Sequence, residues 1–391
     1  MPWIWQLKEW PCFRWQGSLL DKEERRFAEG VSVTIGSLRH LAAQERESLT
    51  IALLERDALG TSAIEGEILD RDSVQSSLRK HLGLAHAQSP LLHGKPREYG
   101  LAEMMADLYR APDSEPTHER LFAWHHMLMH GRRYLGHVGR YRQHASPMQI
   151  VSGPIGDERV HYEAPPSARV PAEMDAFLGW FARTAPGAAD ALPAITRAAV
   201  AHLWFECIHP FEDGNGRIGR AIAEMALAQA TSTPSFTGMS AVLHRHRRDY
   251  YEQLKRHSVR LDIDEWLQWF AARALQAQAE ADRFVRFLVD KAALMARLSG
   301  QLNPRQEKAL LRMFREGPEG FTGGLSAGNY AAITGAPPAT VTRDLADLVR
   351  KDALKKTGER KSTRYWLAVE AHPTPQGTRP GAMGNHRLPS N

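Results

Sequence analysis

One run of twelve residues, His209 to Arg220, constrains this chain more than any other stretch. It reads His-Pro-Phe-Glu-Asp-Gly-Asn-Gly-Arg-Ile-Gly-Arg and lies between two apolar segments with helical periodicity, residues 191–207 and 217–230. A glycine-rich turn lets successive backbone N–H groups converge on one anion. The run therefore predicts a helix–loop–helix junction with an anion-binding loop at the N-terminus of its second helix.

The side chains of this run are the types that bind and act on phosphates. Arg217 and Arg220 are three residues apart, so both can project from one helical face toward adjacent phosphates. Asp213 is a hard oxygen ligand at the place where Mg²⁺ is expected, and His209 can act as a general base at neutral pH. Phe211 is expected to bury its ring and anchor the loop. Each residue alone has an ordinary structural explanation, but together at this spacing they indicate a nucleotide site.

Composition limits the class of protein. The 391 residues predict two or three domains, and 43% apolar with 24% charged residues is ordinary for a soluble globular chain. The formal charge of +5 does not by itself require a nucleic-acid partner. Two cysteines cannot build a disulfide framework. With no signal-peptide pattern and no apolar run of membrane length, we expect a cytoplasmic protein without a membrane partner.

The periodicity of the chain predicts a mainly α fold in several domains. A tryptophan-rich helical region (1–100), with a helix at about 55–68, precedes a helical core (101–270) and a linker helix (271–300). Residues 301–368 form the last domain, and a Pro/Gly-rich tail (369–391) is expected to be disordered.

Two hairpins are predicted in this helical background. Residues 148–162 place β-prone pieces on either side of a Gly-Pro-Ile-Gly-Asp turn. In the last domain, helical segments at 304–315, 329–333 and 339–351 are followed by a basic hairpin at 354–367. Helix–turn–helix followed by a basic hairpin is typical of a winged helix-turn-helix domain.

The run from His209 to Arg220 resembles the signature of Fic-domain proteins, His-Pro-Phe-x-Asp-Gly-Asn-Gly-Arg-x-x-Arg, at every specified position. Gly139-Arg140-Tyr141-Arg142, the hairpin and Ala164-Pro165-Pro166 are similar to the segments before, in and after the family's flap. The resemblance covers about residues 100–265. It implies a Fic-type helical core with a β-hairpin flap, followed here by the winged-helix domain.

The resemblance also implies an activity. Fic enzymes transfer AMP from ATP to a Ser, Thr or Tyr hydroxyl of a protein. By this resemblance His209 would deprotonate the hydroxyl, and Asp213 would hold Mg²⁺ bridging the α- and β-phosphates. The protein substrate would dock on the flap at 148–162 by strand-like main-chain pairing, and the chain itself could be modified (auto-AMPylation).

Further residues of the nucleotide site follow from the same resemblance. Gly214, Asn215 and Gly216 would form the anion hole for the α- and β-phosphates. Arg217 would contact the β-phosphate and Arg220 the γ-phosphate.

A second segment, Thr61-Ser62-Ala63-Ile64-Glu65-Gly66, resembles the family's inhibitory helix motif, Ser/Thr-x-x-x-Glu-Gly/Asn. The resemblance implies that Glu65 forms a bidentate pair with Arg220 and competes with the γ-phosphate. Family members often have Asn at the next position, where this chain has Glu67. Tyr251 is similar to the family's adenine-contacting tyrosine, and the alternative is a helical core tyrosine.

Other functions stay open at this point. Some Fic proteins with such a glutamate also remove AMP, with the glutamate orienting a water. A DNA-binding regulator with a Fic sensor core is a second alternative, because residues 338–367 carry eight Lys/Arg against four Asp/Glu. A homodimer is a further expectation from the family. His125, His126 and His130 lack a metal-site pattern and are expected to be core or surface residues.

Overall fold

The computed structural model describes residues 2–38, 43–84, 95–132, 135–152, 159–231, 237–318, 320–321 and 323–369. Internal packing divides the chain into two compact units, Met1–Asp282 and Arg283–Asn391. The predicted Gly-Pro-Ile-Gly-Asp turn and nearly all of the predicted tail lie outside the described residues. In the part that is described, helices dominate and the only sheets are two two-stranded hairpins, which confirms the predicted mainly α fold.

The first unit is built from helices and one hairpin. Its elements are α1 (Asp21–Leu38), α2 (Ala43–Ile64), α3 (Arg71–His81), α4 (Pro96–Arg110), α5 (His118–Leu128), β1 (Gln149–Ser152), β2 (Arg159–Glu163), α6 (Val170–Arg183), α7 (Ala194–Ile208), α8 (Asn215–Thr231), α9 (Met239–Arg245) and α10 (Arg247–His257). A long helix, α11 (Asp264–Arg297), begins in this unit and ends in the second.

Helix α7 forms the centre of the first unit. From Ile195 to Ile208 every residue is buried, the polar Thr196, Arg197, His202 and Glu206 included. It packs against α8, α6 and α10. Because α7 is enclosed by other elements, the loop that joins it to α8 starts from a rigid position.

The N-terminal tryptophans pack against this core. A 3₁₀ turn at Ile4–Gln6 opens the segment. The indole N–H of Trp10 donates to Glu173 at 2.8 Å, and its ring meets Trp204 edge-on with centroids 6.2 Å apart. Trp10 thus packs its ring against the core while its N–H is hydrogen-bonded, which is the usual environment of a buried tryptophan.

Helix α2 is buried along most of its second half and ends in a tight cap. Gly66 has φ +79°, a left-handed conformation that favours glycine. The N–H of Glu67 donates to the carbonyl of Ser62 at 2.9 Å, and the N–H of Gly66 to that of Ala63 at 3.1 Å. These two bonds form a Schellman motif, which fixes the direction of the chain after the helix.

The predicted hairpin at 148–162 is present as the antiparallel strands β1 and β2. Gln149 pairs with Glu163 and Ser152 with Arg159, with a register shift between Ile150 and Val151. The Tyr162 hydroxyl donates to the carbonyl of Cys207 in α7, which ties the hairpin to the core.

The second unit has its own apolar core. It contains the end of α11 with α12 (Pro304–Arg315), α13 (Ala327–Thr334), α14 (Pro338–Arg350), β3 (Leu354–Thr357) and β4 (Arg364–Leu367). Leu310, Tyr330, Leu345 and Leu367 are each at most 1% exposed. These elements lie where helices and a hairpin were predicted, and the winged-helix assignment stays a prediction.

Among the described residues, no helix combines the length and the apolar character that crossing a membrane requires.

Candidate functional site

The loop between α7 and α8 begins with an abrupt turn at His209. This residue follows the last helical residue, Ile208, and has φ 48°, in the left-handed region that non-glycine residues seldom occupy. Pro210 follows, and a residue before proline is sterically disfavoured in the helical region. The turn carries the imidazole out of the helix axis and into the loop.

Arg142 holds this turn in place. Its Nε donates to the carbonyl of His209 at 2.8 Å, and its backbone N–H donates to that of Pro210 at 3.0 Å. The same guanidinium reaches the carbonyl of Pro165 at 2.5 Å and the Ser167 hydroxyl at 3.0 Å. Burial lowers the pKa of Arg142 to about 10. The sequence motif named Arg142 only as part of a segment before the flap, and the structure shows that it holds the backbone of His209 and Pro210.

His209 lies in an enclosed environment. Its side chain is 13% exposed, and its Nδ1 lies 4.0 Å from an oxygen of Glu206. Burial, with a smaller contribution from Arg142, lowers the pKa of His209 to about 4. Burial also raises the pKa of Glu206 to about 8. At neutral pH His209 is therefore a neutral imidazole, the form that can accept a proton.

Phe211 and Asn215 stabilise the loop between them. The Phe211 ring is fully buried and stacks on His125, with centroids 4.3 Å apart. The Asn215 side chain accepts from the Phe211 N–H at 2.9 Å and donates to the Phe211 carbonyl at 2.8 Å. Because its side chain is used in this way, Asn215 can contribute to an anion hole only through its backbone N–H.

Helix α8 begins at Asn215, two residues before the position expected from the sequence. Asn215 and Gly216 therefore belong to the first turn, where backbone N–H groups have no partner within the helix. Gly214 has φ +82° and supplies the turn. A Cβ on Gly216 would lie 2.3 Å from Oε1 of Glu65, so the helix N-terminus is open to close approach by an anion, and a carboxylate lies there.

Arg220, one turn further along α8, is 3% exposed and is held by the end of α2. Its Nη2 donates to Glu65 Oε1 at 2.7 Å and to the Thr61 carbonyl at 3.0 Å, and its Nε donates to the Thr61 hydroxyl at 2.8 Å. The expected bidentate pair is thus replaced by one bond to Glu65 and two to Thr61. Burial alone would lower the pKa of Arg220, and the Glu65 carboxylate reverses this and raises it.

Arg217 takes part in a second group of ion pairs. Its Nη1 lies 3.0 Å from Glu67 Oε2, and its Nη2 lies 3.2 Å from Asp213 Oδ1. Arg132 pairs with the same two carboxylates, with Nη1 2.7 Å from Asp213 Oδ2 and Nη2 close to Glu67 Oε1. Sequence analysis gave neither Arg132 nor Glu67 a role, because the partners lie far apart in the chain.

The two adjacent tyrosines of α10 differ in environment. Tyr250 is the core residue, 1% exposed and bonded to His202 at 2.8 Å. Tyr251 is 40% exposed, and its hydroxyl donates to the Ile64 carbonyl at 3.2 Å, beside Glu65. The structure thus places Tyr251 at the edge of the site rather than in the core, and its contact with adenine stays a prediction.

Asp213 is the candidate metal ligand of the loop. Its side chain is 33% exposed at the mouth of the loop. Among the described residues no group of three or more His, Cys, Asp or Glu side chains could hold a metal ion. Mg²⁺ is commonly held by one or two carboxylates together with the phosphates of the substrate, so a single partly exposed carboxylate beside an anion cradle fits such an ion.

Comparison with known proteins gives two family matches. A model of the Fic/DOC family matches residues 115–227, which contain the loop and most of α8. A domain of unknown function (DUF4172) matches residues 3–84, which contain α1, α2 and α3.

The curated relatives match only part of the chain. Protein adenylyltransferase Fic of Nematostella vectensis is 31% identical over 156 residues, covering 38% of this chain and 31% of that protein. A probable protein adenylyltransferase of Aquifex aeolicus (strain VF5) is 28% identical over 94 residues, covering 24% of this chain and 26% of that protein. The chain thus spans about a third or less of the length of these relatives.

A solved structure supports the fold over most of the chain. The crystal structure of a Fic family protein from Desulfovibrio desulfuricans G20 superposes with a TM-score of 0.51 at 22% identity, covering 94% of this chain and 99% of that one. The family model and the curated relatives indicate the same domain, and the solved structure shares its fold. The chain carries a Fic/DOC family domain at residues 115–227.

Proposed function

We propose that this protein is an adenylyltransferase that moves AMP from ATP to a hydroxyl of a protein, and that Glu65 inhibits it in the conformation described. One observation carries the proposal. A neutral histidine, a glycine-lined helix N-terminus and two nearly buried arginines converge on one loop, and the arginines are paired with carboxylates. Such an arrangement binds polyphosphates and deprotonates a nucleophile beside them.

The proposed reaction uses His209 as the general base. His209 takes the proton of a substrate Ser, Thr or Tyr hydroxyl, and the oxygen attacks the α-phosphorus of ATP. The bond between the α-phosphorus and the oxygen of the β-phosphate breaks, so that pyrophosphate leaves and AMP stays on the protein. The neutral state of His209 at pH 7 and its fixed position support this role.

The anion-binding groups would stabilise the charge of the phosphates. The first turn of α8 supplies backbone N–H groups for the α- and β-phosphates, while Arg217 would bind the β-phosphate and Arg220 the γ-phosphate. Mg²⁺, held by Asp213, would neutralise phosphate charge when bound.

The inhibitory role of Glu65 is supported by its position. Its carboxylate lies against Gly216 and on Arg220, where the γ-phosphate would bind. The carboxylate and the γ-phosphate are both anions that pair with a guanidinium, so they compete for it. The end of α2, from Thr61 to Glu65, therefore acts as an inhibitory segment that holds ATP in an unproductive pose.

The hairpin β1–β2 is the proposed docking site for the protein substrate. Among the described residues its two strands pair only with each other, so each has an outer edge. Ile150, Val151 and Val160 are 39%, 46% and 39% exposed. An edge strand with exposed apolar side chains suits pairing with an extended segment of another chain.

Incubation with α-labelled ATP and Mg²⁺ tests the proposal. We expect Glu65→Gly to raise the incorporation of label into the protein by at least about ten-fold over wild type, since one charge-assisted pair no longer competes with the γ-phosphate. The Glu65→Gly/His209→Ala double variant is expected to lose this gain, because it lacks the base.

The matched control is Glu29→Gln, a change at an exposed glutamate of α1, which is expected to behave as wild type. Equal labelling of wild type and Glu65→Gly would contradict the inhibitory role. Full labelling of the double variant would contradict the role of His209.

A further inference from the structure

Glu67 pairs with arginines of the same loop region as Glu65, although nothing in the sequence gave it a function. Its side chain is 16% exposed and pairs with Arg217 and Arg132, whose side chains are 4% and 7% exposed. A carboxylate this enclosed between two guanidinium groups differs from a solvated surface acid. Its position therefore needs an explanation of its own.

The cap of α2 fixes Glu67 at this place. The Schellman motif at Gly66 ties the backbone N–H of Glu67 to the carbonyl of Ser62. Glu65 and Glu67 stand on either side of Gly66, and their carboxylates reach different arginines of α8, Arg220 and Arg217. One helix end thus delivers two carboxylates to two arginines.

Arg132 completes the group around Glu67. Together with Arg217 it brackets Asp213 and Glu67, so that two guanidinium groups face two carboxylates. If Glu67 withdraws, Arg132 and Arg217 lose a carboxylate that they share, and the group gains one unit of positive charge. Such a surplus of positive charge, beside a helix N-terminus, attracts an anion in place of the carboxylate that left.

We infer that Arg132 is a third phosphate-binding arginine of the nucleotide site, and that Glu67 covers Arg132 and Arg217 in the same way as Glu65 covers Arg220. This inference rests on the proposed function. Glu65 then excludes the γ-phosphate, while Glu67 weakens binding of the β-phosphate. The two carboxylates differ in which nucleotides they affect, and this difference can be measured.

Calorimetric titration of the full chain with ATP, ADP and AMP, each with Mg²⁺, tests the inference. We expect Glu67→Gln to tighten the binding of both ATP and ADP by about ten-fold, because the pair that is lost is charge-assisted, and to leave AMP unchanged. Glu65→Gln is expected to tighten ATP more than ADP. Adding Arg132→Gln to Glu67→Gln should cancel the gain in ADP affinity.

Two further variants serve as controls for charge and for the loss of a carboxylate. Arg132→Lys keeps the charge without the planar fork, so it should retain part of the ADP affinity in the Glu67→Gln background. Glu29→Gln is the control for loss of a carboxylate outside the site. Melting curves of every variant show whether it is folded, and Arg132→Lys replaces Arg132→Gln if the latter is not.

The outcomes separate this inference from the proposed function. If Glu65→Gln tightens ATP while Glu67→Gln changes neither ATP nor ADP affinity, the role of Glu67 and Arg132 is overturned and the adenylyltransferase stands. An ADP gain that persists when Arg132 is replaced overturns the role of Arg132 in phosphate binding. If no variant, Glu65→Gly included, binds ATP, both proposals fail.

Discussion

Arg220 shows how strongly a residue's role depends on its partners. Its guanidinium is almost fully buried, and hydrogen bonds to Thr61 and Glu65 hold it in place. A buried charge that loses its partner is strongly destabilising, so an anion that replaces the departing carboxylate, such as a phosphate, lowers the cost of its release. The spacing in the motif predicted that Arg217 and Arg220 share a face, but the contacts of Glu67 and Arg132 were not predictable. Glu67 and Arg217 are 150 residues apart, and no local pattern encodes their contact.

The burial of His209 leads to a prediction about pH. Its pKa is lowered from an ordinary value near 6.5 to about 4 by burial, so the imidazole stays unprotonated as the pH falls from 7 to 5. Removal of Glu65, a carboxylate that favours the protonated form, lowers the pKa further. We expect the pH–rate profile of Glu65→Gly to keep its activity down to about pH 5. Half-maximal activity between pH 6 and 7, assigned to His209, would contradict this.

At the scale of elements, the sequence located the two helices that flank the loop but not every helix that packs against them. Helix α6 was not predicted, whereas α7 and α8 were, because long apolar segments next to a glycine-rich turn are unambiguous. The packing of α2 against α8 is a tertiary contact that periodicity does not encode. It was indicated only by the resemblance of the segment from Thr61 to Gly66 to the family's inhibitory motif.

The contact of α2 with α9 gives an element-scale prediction. A Cβ on Gly60 would lie 2.7 Å from the backbone nitrogen of Ala241, and backbone cannot yield cheaply. Gly60→Ala is therefore expected to displace the end of α2, with a loss of about 1–3 kcal/mol in the free energy of unfolding. Because Thr61 and Glu65 shift with the helix, labelling from ATP should rise above wild type.

Gly17→Ala is the matched control, since a Cβ there has nothing within 4 Å. Denaturant titration and the labelling assay together check the prediction. A Gly60→Ala chain that is destabilised but labels no better than wild type would show that the position of α2 does not govern activity.

The whole molecule consists of two units with separate cores, and the Fic/DOC match lies within the first. We therefore expect two unfolding transitions. Leu345→Ala, at a buried position of α14, should destabilise only the second unit, by about 2–5 kcal/mol. Met174→Ala, in the first unit, is the counterpart. Scanning calorimetry checks this, and a shift of both transitions by Leu345→Ala would contradict independent cores.

The central claim, that AMP is the group transferred, is tested most directly by the position of the label in ATP. Glu65→Gly protein is incubated with Mg²⁺ and ATP labelled on either the α- or the γ-phosphorus, and the protein is then separated from nucleotide. We predict stable label on the protein from α-labelled ATP and none from γ-labelled ATP, because pyrophosphate leaves. Label from γ-labelled ATP would mean phosphate transfer, and would contradict adenylyl transfer.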